Sequence, residues 1–311
     1  MPLQVSRLLS IAPFCLLFSA ADAEEKATPA ASAFNFREND RVVLLGGTFF
    51  ERDYDHAYLE TALSTAFADK RLRFRNLAWS ADTVWGHSRS YFGPPSEGLD
   101  RLRNHLEQIK PTVVLCNYGA AEAWDGEEKL TAFLDAYTRL LDLMARTAGK
   151  PRIILISPLP VETLPPPLPN LDEQNQRLAL YGNGIKKLAS ERGLAFYDAF
   201  KRVTDAPKPG PLTENGVAFS EAGYRFIGSL IGSLAQNREN NQPVPPLDEK
   251  LRTLILDKNK LFFHRWRPAN ETYLFGFRKH EQGNNAAEIP LFDPLIEAKE
   301  KEIAAHLGPR P

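Results

Sequence analysis

The sequence predicts an α/β protein built on a doubly wound parallel sheet of five strands. Two observations point there. Short β-like runs alternate with longer helical stretches between residues 40 and 235, and the runs are nearly continuously apolar rather than alternating. A strand apolar on both sides is covered on both faces, which is the condition of a parallel sheet sandwiched between helices. A third observation sets the size: 311 residues leave room for one such domain plus an appendage, since domains run to about 100–200 residues.

The elements follow in order. Arg41-Val42-Val43-Leu44-Leu45 is the first strand and stops at Gly46-Gly47. Residues 57–67 are amphipathic and read as a helix, and 72–77 as the second strand. Leu99, Leu102, Leu106 and Ile109 repeat at helical spacing through 98–109. Residues 112–116 make the third strand, 129–145 a helix with a leucine-rich face, and 152–156 the fourth strand. The stretch 158–169 is too rich in proline for regular structure. A helix over 172–192 stops at Gly193, where the residue past a helix end favours glycine. Residues 194–197 are the fifth strand and 220–235 the last helix of the series. A polar, proline-containing linker over 236–247 leads to a tail with a short helix, an irregular aromatic and charged stretch, and a helix over 294–306.

The N-terminus differs in kind. Arg7 precedes an apolar run, Leu8 to Ala20, and then Ala21-Asp22-Ala23 in a small-x-small pattern. This is the pattern of a secretory signal peptide over 1–23, cleaved after Ala23. The run is shorter than the ~20 residues of a spanning helix. Residues 24–37 read as a loose leader, 38–236 as the main domain and 237–311 as a C-terminal extension packed on it. The expected mature protein is periplasmic or secreted, with no membrane span. Of the two cysteines, Cys15 falls in the signal and Cys116 in an apolar strand, so no internal disulfide is expected. A formal net charge of -1 with no long charge run gives no reason to expect a nucleic-acid partner. No Cys/His cluster has metal-ligand spacing, and no cofactor motif appears, so no metal and no cofactor are expected.

In such sheets ligands bind beyond the carboxyl ends of the strands, so the strand-end loops are where chemistry is sought. After the first strand comes Gly46-Gly47-Thr48-Phe49-Phe50-Glu51-Arg52. After the second comes Asn76-Leu77-Ala78-Trp79-Ser80-Ala81-Asp82-Thr83. After the third comes Asn117-Tyr118-Gly119-Ala120-Ala121-Glu122, and before the last helix Leu212-Thr213-Glu214-Asn215-Gly216-Val217-Ala218. In order and spacing these resemble the four blocks of the SGNH/GDSL hydrolases over roughly residues 40–235. The resemblance implies a flavodoxin-like five-stranded fold and an ester-hydrolase ancestry. It also implies a role for each block. Thr48 stands at the nucleophilic serine, and Ala81 at the glycine whose backbone N–H faces the oxyanion. Ala121 stands at the asparagine that also donates to the oxyanion. Asn215 and Ala218 stand at the aspartate and histidine of the proton-accepting pair.

The replacements differ in weight. Ala81 keeps its backbone donor. Ala121 loses a side-chain donor, and one oxyanion donor is typically worth about 2.7–4 kcal/mol in the transition state. Thr48 keeps a hydroxyl. Ala218 is decisive, because a hydroxyl is a weak nucleophile until a base takes its proton. His56, His87 and His105 lie in or near helical stretches, and His264 and His280 in the tail; none sits at the family position.

Aromatic residues crowd the blocks. Trp79, Trp85, Trp124 and Tyr118 are candidate ligand-binding residues, since flat rings with polar tips stack on sugars; core packing is the competing use of such rings. The sequence thus supports two functions. One is a catalytically impaired hydrolase-like protein that binds a carbohydrate or acylated small molecule in the former cleft. The other is an active carbohydrate or lipid esterase using Thr48 with a base from elsewhere.

Overall fold

The computed structural model describes Met1 and residues 34–147, 149–235 and 247–308. The proposed signal segment beyond Met1, Cys15 and most of the linker lie outside the described residues. Five strands form one sheet: β1 (Arg41–Gly46), β2 (Arg73–Asn76), β3 (Val113–Asn117), β4 (Arg152–Ile156) and β5 (Ala195–Tyr197). Their order is β2-β1-β3-β4-β5, and every neighbouring pair is parallel. The predicted doubly wound α/β sheet is the fold of this chain.

Consecutive strand residues face opposite ways, so a strand buried on both sides must be apolar throughout. Val43, Leu45, Val114, Cys116 and Leu155 point into one core. Val42, Leu44, Val113, Leu115 and Ile156 point into the other. Helices α3 (Pro95–Ile109), α4 (Leu130–Ala145) and α5 (Asp172–Glu191) close the first core through Leu102, Leu106, Tyr137 and Ile185. Helices α2 (Tyr58–Ala66), α6 (Ala199–Asp205) and α7 (Glu221–Ala235) close the second through Leu59, Leu63, Val203 and Ile227. Cys116 is a free, buried thiol whose pKa burial pushes up.

Three expectations need correction. Residues 48–56, read partly as a loop, form helix α1 (Thr48–His56) directly after Gly47. Its start has no side-chain cap to announce it; Asn76 from β2 holds it by donating to the Phe50 carbonyl at 2.5 Å. The leader is not loose to residue 37: Phe34 and Phe36 are buried, Phe34 tilted against Tyr197 and Phe36 edge-on against Phe67. The tail does not begin with a short helix and an irregular stretch. Helix α8 (Glu249–Trp266) runs 18 residues through the aromatic segment. Two four-residue helices, α9 (Glu271–Leu274) and α10 (Lys279–Gln282), then precede α11 (Phe292–His306).

The extension attaches to the sheet edge at β2. Alternation puts Leu72 and Phe74 in the second core and leaves Arg71, Arg73 and Arg75 on the other side. Arg71 donates to the Ala304 carbonyl, Arg73 grips Glu297 with two 3.0 Å bonds, and Arg75 pairs with Glu300. Residues 297, 300 and 304 share one face of α11. Helix α8 adds a buried ion pair, Lys258 with Glu60, and sets Phe262 and Trp266 into the first core. An edge strand with unpaired backbone groups is thereby covered.

Candidate active site

The chain runs from β1 outward to β2, then crosses back to β3 on the other side of β1. Connections diverge at the carboxyl ends of β1 and β3, and that divergence opens a crevice. The two ends approach closely: a Cβ on Gly46 would lie 2.2 Å from the Asn117 carbonyl oxygen, so this position admits only glycine.

A cavity of about 320 Å³ opens there. Thr48, Ala81, Ala121 and Ala218, from four separate segments, all line it. So do Arg52, Asp82, Tyr118, Glu122 and Trp124. Asn215 is not in the lining; its side chain accepts the backbone N–H of Val217 at 3.1 Å and of Ala218 at 2.8 Å, shaping the turn that carries Ala218. Trp79 and Trp85 do not line the cavity. Trp79 is buried beneath Arg267, whose guanidinium lies 3.8 Å from its ring centre, and Trp85 packs on the first core. Trp124 is the tryptophan at the cavity, with 49% of its surface exposed. A wider groove of about 840 Å³ runs between α2 and α7, lined by Ala62, Phe226 and Gly232. It lies away from the strand ends and gathers none of the four block positions.

Thr48 is the first residue of α1, and its Oγ1 accepts the backbone N–H of Ala81 at 3.0 Å. Ala81 has φ 57°, the left-handed region where a Cβ is disfavoured. The backbone therefore keeps the conformation a glycine would adopt freely, and the amide still faces the hydroxyl position.

No histidine lines the cavity, and all six are placed elsewhere. His56 stacks on Tyr224 with ring centres 4.4 Å apart, and burial lowers its pKa. The His87 ring bonds the Thr83 hydroxyl at 2.7 Å. His105 packs edge-on against Trp266, and burial, with Arg89 and Arg101 nearby, lowers it to about 4. His264 lies among Phe263 and Phe292, His280 beside Glu281, and His306 on Asp248.

A charged network that sequence reading missed reaches the cavity lining through Asp82, Tyr118 and Glu122. Arg89 and Asp82, both fully buried, pair at 2.6 Å. Tyr118 donates its hydroxyl to Asp82 at 3.3 Å. Glu122 accepts the N–H of Val84 at 3.0 Å and of Gly119 at 2.9 Å, tying the loop after β2 to the loop after β3. Burial outweighs those bonds and pushes the Glu122 carboxyl up to about 7. Glu162, from the proline-rich loop, accepts from the Leu212 and Thr213 amides and from the Thr213 hydroxyl at 2.6–2.8 Å, which pins the last block. Acidic residues beside glycine and small residues were the available signal, but nothing local named their partners.

Residues 39–226 match the family model of the GDSL-like lipase/acylhydrolase family. The chain belongs to that family. Solved structures agree on the fold of this GDSL-like domain. A catalytic mutant of an acetylxylan esterase from Geobacillus stearothermophilus is 18% identical, with a TM-score of 0.50, over 67% of this chain and 99% of that one. A gut microbial diltiazem-metabolizing enzyme is 17% identical, with a TM-score of 0.52, over 65% of this chain. The GDSL-like chain covers about half of that enzyme, 48% of its length. No curated protein matches the chain.

Proposed function

We propose that this GDSL-like protein has exchanged ester hydrolysis for binding, and that it holds an acylated small molecule or a glycan in the strand-end cavity. The observation carrying this reading is Ala218 at the cavity wall with every imidazole placed outside the lining. A threonine hydroxyl with no base beside it is a poor nucleophile, and nucleophile and base act as a unit, so loss of either costs nearly the whole effect. Ala121 adds the loss of an oxyanion donor. Trp124 at the rim suits a sugar face, and the apolar inner wall suits an acyl chain. The N-terminal pattern supports export to the periplasm or beyond, with a mature start near Glu24.

The test is hydrolysis of short p-nitrophenyl esters by purified protein. The expected result is turnover no faster than that of Thr48→Ala. Wild-type turnover that collapses in Thr48→Ala overturns the reading. One observation favours the rival, an active esterase. Glu122 lines the cavity with its carboxyl pushed up to about 7, in the range of a general base. That rival predicts a rate limb near pH 7 that disappears in Glu122→Gln.

A further inference from the structure

The polar groups of the cavity divide sharply into engaged and free. The Asn117 side-chain amide donates to the Ser157 carbonyl at 2.8 Å, and the Tyr224 hydroxyl to the Phe49 carbonyl at 2.9 Å. The Tyr118 hydroxyl is committed to Asp82. Asp82 is itself neutralised by Arg89. Among the lining side chains, what remains for a ligand is the O–H of Thr48, whose oxygen already accepts the Ala81 amide, the indole N–H of Trp124 and the Arg52 guanidinium. Arg52 lies four residues after Thr48, one turn on along the same face of α1. It lines the cavity, it is exposed, and no acidic partner stands within ion-pair distance among the described residues. Two acids of the same helix are turned elsewhere. Glu51 takes Arg267 at 2.9 Å and the Ser80 hydroxyl at 2.7 Å, and Asp53 is buried and accepts the Tyr58 amide.

Much of the lining is apolar. Leu159, Pro160, Val161 and Leu178 line the cavity with Phe49 and Phe219, and Phe49 is held flat against Tyr224 with ring centres 5.3 Å apart. A sugar ring takes donors and acceptors on all sides, so between the two ligands proposed above the few free side-chain groups of this lining favour the acylated one. An apolar lining beside a free cation narrows that ligand further.

We propose that the cavity binds an anionic amphiphile, a carboxylate on an apolar body, with its head group on Arg52 and Thr48 and its body along the Leu159–Leu178 wall. Guanidinium and carboxylate meet in a charge-assisted, two-bond geometry that an alcohol or ester cannot reproduce. Burial pushes the Glu122 carboxyl up to about 7, so well below that pH this lining acid carries little charge to oppose such a ligand. The inference deepens the binding reading above and rests on it.

Calorimetric titration with octanoate and with octan-1-ol tests it, using the wild type, Arg52→Gln and the cavity-filling Ala218→Trp. Octanoate is expected to bind the wild type at least tenfold more tightly than octanol. Arg52→Gln removes that preference and leaves octanol binding unchanged. Ala218→Trp removes both, with Ala121→Phe as the substitute if Ala218→Trp does not fold. Equal binding of octanoate and octanol, or an octanoate preference that persists in Arg52→Gln, overturns the anion assignment. The cavity reading survives that outcome if the filling variant still blocks both probes. Octanoate binding that persists in the filling variant, or no binding of either probe to the wild type, overturns the assignment and the cavity reading together.

Discussion

Ala81 and Glu122 show how single residues set the site. Ala81 sits at φ 57°, where an L side chain costs roughly 1–2 kcal/mol. Glycine adopts this conformation freely but loses about 0.5–1 kcal/mol of unfolded-state freedom. Ala81→Gly should therefore raise stability by up to about 1 kcal/mol, seen as a higher denaturation midpoint at an unchanged slope. A lower midpoint would show that the alanine methyl makes a contact worth more than the strain. Glu122 gives a pH dependence. Its carboxyl stands at about 7 in the folded protein against an ordinary 4.5. The folded state then holds the proton more tightly, so the contribution of Glu122 is full below pH 4.5 and is lost as pH rises to about 7. His105, lowered to about 4, contributes the opposite slope over much of this window, so the reading is the difference between wild type and Glu122→Gln. From pH 4.5 to 7 the wild type should lose stability relative to Glu122→Gln, by an amount on the order of a few kcal/mol. Parallel pH profiles for the two proteins would mean the two backbone N–H bonds offset burial.

At the scale of elements, the attachment of α8 includes one buried ion pair. Lys258 is fully buried and Glu60 nearly so, and burial holds the Glu60 carboxyl above its usual range, with Lys258 pulling it back down. Removing one member of a buried pair strands the other and costs about 3–5 kcal/mol. Lys258→Met should lose about that much in chemical denaturation, and Lys258→Met with Glu60→Leu should recover most of it. If the double variant is no better than the single, the cost comes from packing rather than the stranded carboxylate. The residue that follows α8, Arg267, reaches toward the site: it lies on Trp79 and pairs with Glu51, and Glu51 accepts the hydroxyl of Ser80 next to Ala81. Of these elements the sequence disclosed the apolar strands and the long amphipathic helices by their periods. It concealed α1, because that helix is only nine residues long, has no side-chain cap and follows Gly46-Gly47 directly, where a loop is expected. It did contain the signal for α6, since Asp198 caps that helix by accepting the Lys201 amide at 2.9 Å.

For the whole molecule, the extension is part of the fold. Phe262, Trp266 and Ile296 belong to the first core, and α11 covers the arginine face of β2. A chain ended before residue 247 would expose that apolar surface and leave an open edge strand, which invites association. Such a truncation is expected to aggregate or to unfold without cooperativity, as read by calorimetry and light scattering. A soluble monomer with a sharp transition would show that the domain stands alone. The sequence by itself determined the α/β class, the strand count, the family blocks and the identity of the residues at each block position. These follow from short-range patterns, because burial on one or both faces imposes a period on neighbouring residues. Only the tertiary structure decided which polar groups are engaged and which are free. Glu122 meets Val84 across 38 residues and Glu162 meets Thr213 across 51, separations at which no period links one residue to the other. For the same reason only the fold could withdraw Trp79 and Trp85 from the cavity, place every histidine outside it, and leave Arg52 facing it.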